Sequence, residues 1–387
     1  MTTLRRFLIP LLLCLQVSAQ GAARKASSTN SATPCVIAPG EVWLDDKGVA
    51  VNAHGGGILP HEGRYYWFGE HKTAGSEGNR AHVGVHCYSS DDLCHWKDEG
   101  IALGVSADTR SEIAEGCVLE RPKVIYNAKT GKFVMWFHLE LKGCGYSSAR
   151  AGVAVADKVT GPYTYLGSFR PNAGSWSQNF DSSRKTPLSG EDYSRLKDAG
   201  QVKKGDGSSL RRDFEQGQMA RDMTLFVDED GKAYLLCASE ENATLQLSLL
   251  TEDYLKSSGT YWRILEGKAN EAPALFKHEG KYYLITSGCS GWKPNAARLA
   301  VADDIRGPWR ELGNPCVGEG KETTFRSQST FVLPLPGKPG SFLFMADRWV
   351  PENAIDGRYI WLPIQWNPDG SPFLEWKDRW DWRISSP

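Results

Sequence analysis

Short apolar, β-prone runs alternate with Gly, Asp and Asn along most of the chain, and long amphipathic helical patterns are scarce, which predicts an all-β fold. Five times a turn glycine opens such a run: Gly63-Arg64-Tyr65-Tyr66-Trp67-Phe68, Gly131-Lys132-Phe133-Val134-Met135-Trp136, Gly231-Lys232-Ala233-Tyr234-Leu235-Leu236, Gly280-Lys281-Tyr282-Tyr283-Leu284-Ile285 and Gly340-Ser341-Phe342-Leu343-Phe344-Met345. Each glycine closes a hairpin behind another apolar strand, such as Lys123-Val124-Ile125-Tyr126 or Thr224-Leu225-Phe226-Val227. Divergent units roughly 50 to 70 residues apart suit radial blades of four strands, so the expected architecture is a five-bladed β-propeller. The interval from Glu120 to Asp222 is too long for one unit and holds an insert near Ser168 to Gln216, in which Asp192 to Asp198 reads as a short helix. Two readings of the insert stay open, a solvated surface loop or a loop that shapes a substrate cleft.

The N-terminus adds a compartment. Arg5 and Arg6, the apolar run Phe7 to Val17 and the small residues Val17-Ser18-Ala19 form an export signal pattern over residues 1–19. Residues 20–40 then read as a linker, and 41–387 as the propeller domain. The apolar run is about half the roughly 20 residues that a membrane span needs, and no later segment is apolar enough. A secreted or periplasmic protein without a membrane span is expected. Removing the signal leaves eight of nine cysteines, an even count that permits disulfides without revealing their pairing. Cys237 lies in an apolar strand, where a free thiol and a bridge are both compatible with the pattern.

Charge excludes some partners. The net charge is −1 and no basic run exceeds two residues, which argues against nucleic acid. There is no CxxC pair, and His82 and His86 share an i,i+4 spacing only within a strand-like stretch, so no metal site is expected there. Fourteen tryptophans suit either the core or stacking on sugar rings.

Stepping back across each hairpin from its turn glycine reaches a polar residue at the start of the preceding strand: His54, Glu120, Asp222, Glu271 and Gln328. In a propeller the innermost strands start on one face around the axis, so these five should converge. Carboxylates gathered in one cleft repel one another, and partial burial raises at least one pKa, which yields a proton donor suited to glycosidic cleavage. Taken singly, any of them could instead be a strand-edge polar residue bonded to a neighbouring blade.

The motifs Ala53-His54-Gly55-Gly56-Gly57, Tyr65-Tyr66-Trp67-Phe68-Gly69-Glu70, Glu120-Arg121-Pro122-Lys123, Arg221-Asp222-Met223, Glu271-Ala272-Pro273 and Ser327-Gln328-Ser329-Thr330 follow in order over about Val42 to Trp382. With them the chain resembles glycoside hydrolase family 43, and most closely its exo-β-1,3-galactanase-like branch. The resemblance implies inversion of configuration, with Glu271 as general acid and Asp222 as the carboxylate that orients it. It further implies that Gln328 positions the attacking water and that Glu120 stands close to the sugar. His54, Glu70, Tyr146, Asn242, Ser290 and Trp292 match the branch's sugar-binding surroundings. The wider family carries a general-base Asp in its first blade, where this chain has His54-Gly55-Gly56; the identity of the base stays open. A monomer acting on oligosaccharide or polysaccharide is expected, with no cofactor required and a structural cation in the central channel left open.

Other readings are weaker. His54-Gly55-Gly56-Gly57 also resembles an esterase oxyanion loop, but the nearest nucleophile elbow, Gly145-Tyr146-Ser147-Ser148-Ala149, lacks its final glycine. A sugar-binding propeller without turnover would fit Gln328, though it gains little from Glu271 beside Asp222. Within the enzyme reading, α-L-arabinofuranosidase or galactofuranosidase action is the alternative substrate class.

Overall fold

The computed structural model describes residues 35–383. The expected export signal and most of the expected linker lie outside the described residues. Within the stretch expected as linker, Ile37 is buried and pairs with Trp380, and Cys35 is disulfide-bonded to Cys94.

Five of the six sheets are radial and antiparallel, with strands following one another outward in chain order. The first holds β1 (His54–His61), β2 (Arg64–Glu70), β3 (Gly84–Ser90) and β4 (Lys97–Gly104); the second holds β5 (Val118–Asn127), β6 (Lys132–Glu140), β7 (Arg150–Ala156) and β8 (Thr164–Phe169). The third comprises β9 (Met223–Val227), β10 (Ala233–Ser239), β11 (Thr244–Leu250) and β12 (Ser257–Ile264). The fourth comprises β13 (Asn270–His278), β14 (Lys281–Gly288), β15 (Arg298–Ala302) and β16 (Arg310–Gly313). After β17 (Cys316–Val317) come β18 (Gln328–Pro334), β19 (Phe342–Arg348) and β20 (Arg358–Pro363) as one three-stranded sheet. Finally β21 (Gln365–Trp366) and β22 (Pro372–Glu375) join β17 in another, with β22 parallel to β17.

The all-β propeller expected from the sequence is present, but the expected count of five blades is corrected: the strands form six sheets. The additional sheet escaped the repeat because its strands are only two to four residues long and come from both sides of the β18–β20 sheet. All five hairpins fall where the turn glycines put them, and each of those glycines has positive φ.

The innermost strands β1, β5, β9, β13 and β18 contact one another in a closed circuit about the axis. Apolar side chains between neighbouring sheets hold that circuit together. One such layer lies between the first sheet and the β18–β20 sheet, where Trp43, Trp67, Trp96 and Trp361 meet in edge-on or tilted pairs at 4.7–6.1 Å. Each such ring removes on the order of 200 Å² from water, so most of the tryptophan content is structural. The axis itself is apolar below the polar mouth, with Lys123 at the junction. Its ammonium is 2.9 Å from the Gly55 carbonyl oxygen and 3.4 Å from that of Arg121. Burial, then the Arg121 charge, bring Lys123 down to about 7.

Candidate active site

The chain aims its polar residues at the axis by the same local device in every inner strand. β1 slips register between His54 and Gly57, β5 between Glu120 and Lys123, β13 between Glu271 and Ala274, and β18 between Ser329 and Phe331. In the third sheet, Arg221 and Asp222 together oppose Ala238. Such bulges bend a strand and re-aim a side chain. Arg121 and Ala272 adopt left-handed φ of 58° and 54°, a conformation costing roughly 1–2 kcal/mol per non-glycine residue. At the equivalent point of β1 stands Gly55, at φ 62°. A Cβ there would lie 2.0 Å from Glu70 Oε1, so the glycine is required twice over.

The result is a cavity of about 260 Å³ at the mouth of the axis, lined by Glu120, Asp222, Glu271 and Gln328 and by Glu70, Tyr146, Asn242 and Trp292. Eight of the ten sequence-derived candidates therefore meet in one place. His54 and Ser290 do not line it, and their placement there is corrected. His54 lies beneath the wall, stacked on Tyr359 with ring centroids 5.0 Å apart. Burial, then Lys72, push it down to about 3, so it is a neutral packing group. Ser290 Oγ instead donates to the Lys293 carbonyl (2.5 Å) and accepts from Asn295 Nδ2 (2.6 Å), which fixes the turn presenting Trp292.

Arg121 is the hub of the floor. Its guanidinium donates to Gln328 Oε1 (2.5 Å) and the Ser329 carbonyl (2.9 Å) and stands 3.1 Å from Asp222 Oδ2, while its backbone N–H donates to Glu70 Oε1 (3.0 Å). Asp222 Oδ2 also accepts from the Ala272 N–H at 3.1 Å. Gln328 is held at both ends: Nε2 donates to Glu271 Oε1 (3.0 Å) and Ser287 Oγ (2.9 Å), and Oε1 also accepts from Trp349 Nε1 (3.0 Å).

The carboxyl groups are driven apart in acidity. Burial first, then the Asp222 charge, raise Glu271 to about 7, against the pull of Arg121, the Cys289 thiol and the Gln328 amide. Burial would raise Glu120 too, but His138, Lys72 and the Tyr146 hydroxyl outweigh it and bring Glu120 down to about 2. Tyr146 donates to Glu120 Oε1 at 2.7 Å; His138 Nδ1 meets Glu120 Oε2 at 3.1 Å and Nε2 meets Glu140 Oε1 at 2.9 Å. Burial lowers His138, but the two carboxylates raise it to about 9, which makes it an imidazolium donating at both nitrogens. Glu120, His138 and Asp222 also lie close enough together to serve as metal ligands, a role for which His138 would have to give up a proton. A site with one carboxyl protonated near neutrality and one permanently ionised separates proton donation from charge stabilisation.

The comparisons agree with this geometry. The sequence profile of glycosyl hydrolases family 43 matches residues 198–372. A β-1,3-galactosidase of family 43, solved with galactodeoxynojirimycin, is 54% identical; the alignment covers 89% of this chain and all of that one, with a TM-score of 0.84. This chain belongs to glycosyl hydrolase family 43. An exo-β-1,3-galactanase from Clostridium thermocellum is 37% identical over 89% of this chain and 66% of its own (TM-score 0.72). A Phanerochaete chrysosporium exo-β-1,3-galactanase variant, solved with β-1,3-galactotriose, is 33% identical over 90% and 68% (TM-score 0.71). No curated protein matches.

In this family 43 hydrolase several site residues were absent from the sequence-derived set. Arg121 stood inside a quoted motif, but its side chain carried no signal. His138 lies 18 residues beyond Glu120 on the adjacent strand, and strand alternation alone does not announce the pairing. Lys72 and Trp349 sit just past the ends of β2 and β19, beyond the repeat. The insert near Ser168 to Gln216 is not part of the cavity wall. It folds against the third sheet, where Gln178 N–H donates to the Tyr261 carbonyl and Phe180 packs with Leu210 and Tyr261. One helix runs Gly190–Asp198, close to the expected span, and a second, short one runs Ser208–Arg212.

Proposed function

We propose that this family 43 enzyme is an inverting, exo-acting hydrolase that releases galactose from β-1,3-galactan. The observation that carries the reading is Glu271, held near neutrality by burial and by Asp222 at the wall of the sugar-sized cavity. The relatives support the substrate, being a β-1,3-galactosidase and exo-β-1,3-galactanases. Glu271 gives its proton to the leaving glycosidic oxygen. Asp222, tied to Arg121, keeps that proton on Glu271 until the sugar arrives. Ionised Glu120 faces the positive charge that builds on the ring in an oxocarbenium-like transition state. Gln328 orients the attacking water. With two N–H donors already on its Oε1, the imidic form would set an O–H against them, which favours a positioning amide over a proton acceptor.

Catalysis in this reading needs no cofactor, and Arg121 supplies positive charge at the mouth of the axis. Export of a monomeric enzyme is part of the same proposal. The Arg5 to Ala19 pattern supports export, as does the Cys35–Cys94 disulfide, which suits an oxidising compartment.

The test is Glu271→Gln assayed on β-1,3-galactan, arabinan and xylan oligosaccharides beside the parent protein, with products identified and the first-formed anomer read by NMR. The expected result is galactose of inverted configuration from the parent, and a loss of about 10³-fold or more in the variant with oligosaccharide binding retained. Arabinose as the main product, or a variant as active as the parent, would overturn it.

A further inference from the structure

A second cavity, about 290 Å³, adjoins the first and shares Gly291, Trp292, Gln328 and Trp349 with it. Trp292 and Trp349 meet edge to face at 6.0 Å and stand between the two. The lobes differ in charge. In the first, four carboxylates are balanced by Lys72, Arg121, His138 and Arg221, whereas the second presents Lys293, Arg326 and Arg348 and no Asp or Glu. None of these three cations has an ion-pair partner among the described residues. Lys293 and Arg326 are exposed. Arg348 donates from Nη2 to the Phe325 carbonyl (2.9 Å) and leaves Nε buried without an acceptor. Burial first, and then the like charge of Arg326, lower Arg348. Thr324, Phe325 and Arg326 are three consecutive non-glycine residues in left-handed φ, at 50°, 56° and 61°, so the chain is bent sharply where Arg326 is presented.

A neutral galactan gains nothing from three unpaired cations beside its cleavage site. We propose that the basic lobe receives an oxyanion carried by the substrate, a uronosyl carboxylate or a sulfate ester on a sugar next to the galactose being released. The proposal rests on the galactan reading above. Arg326 and Lys293 supply the charge at the lobe's surface, Arg348 reinforces it from behind, and the Trp292–Trp349 wall gives the intervening sugar an apolar face to lie on.

The experiment measures kcat/KM of the full chain and of a Lys293→Gln/Arg326→Gln variant on three substrates: neutral β-1,3-galactotriose, the same chain with a glucuronosyl branch, and its sulfated counterpart. The parent should favour at least one charged substrate by about tenfold, equivalent to about 1.4 kcal/mol. The variant should lose that preference while cleaving the neutral trisaccharide within about twofold of the parent, and raised salt should erode the preference in the parent. The charged arm that carries the preference identifies the oxyanion. Equal rates on all three in the parent, or an equal fall on all three in the variant, overturns the basic lobe. Failure of the parent on neutral galactotriose sinks the galactan reading instead. Calorimetric binding of glucuronate and of inorganic sulfate to parent and variant then decides the lobe separately: binding that the variant loses supports it, and no binding to the parent refutes it.

Discussion

Asp222→Asn gives the sharpest test of how the site sets its acidity. The substitution keeps shape and leaves an oxygen to accept from the Ala272 N–H, now 3.1 Å away, but removes the charge that is second only to burial in raising Glu271. It also frees Arg121, whose charge already pulls Glu271 down. Both changes act in one direction. Glu271 stands at about 7 against an ordinary 4.5, so part of that rise disappears with Asp222. A fall of about one unit, a modest share of the rise, takes the protonated fraction at pH 7 from about one half to about one tenth. The assay is a kcat/KM profile from pH 4 to 9 on a neutral β-1,3-galactoside. The parent should lose activity as pH rises through about 7; the variant's alkaline limb should lie near 6. Its deficit should be about fivefold larger at pH 7 than at pH 5. An alkaline limb that stays put or moves upward would refute the argument, because Asp222 would then not be what holds the proton on Glu271.

Two further outcomes test the frame around the site. His138 is held at about 9 against an ordinary 6.5, so its charge stabilises the fold fully below about 6.5 and that contribution is lost as pH rises through about 9. Glu140→Gln should therefore cost on the order of 3 kcal/mol at pH 6 and distinctly less at pH 10, read by thermal or denaturant unfolding. Gly55→Ala, by forcing a Cβ into left-handed backbone against Glu70, should cost about 2 kcal/mol or more and abolish turnover even where the variant folds; near-native stability and rate would show that β1 can relax there.

Much of this molecule was legible in its sequence for one physical reason: hairpin closure and strand alternation are local, and both repeat. The turn glycines at 63, 131, 231, 280 and 340 set the hairpins, and counting back from them found Glu120, Asp222, Glu271 and Gln328. His54 satisfied the same count and failed, because Gly55 and Gly56 let β1 pass close to β2 while Tyr359 stacks over the imidazole. What repeats could not show is which side chains pair across strands and what lies beyond the strand ends. The Glu120–His138–Glu140 chain crosses strands, Trp349 follows a strand end, and the two-residue strands β17 and β21 are too short for a periodic pattern. Cys237, open between free thiol and bridge in the sequence, is a free buried thiol.

Ile37 and Trp380 exchange backbone hydrogen bonds of 2.8 and 3.0 Å, and Trp382 Nε1 donates to the Asp92 carbonyl. The first and last described segments thus fasten to the same edge of the first sheet, and a short splint of chain could join them. The order of sheets around the axis is then a property of the ring rather than of where translation starts.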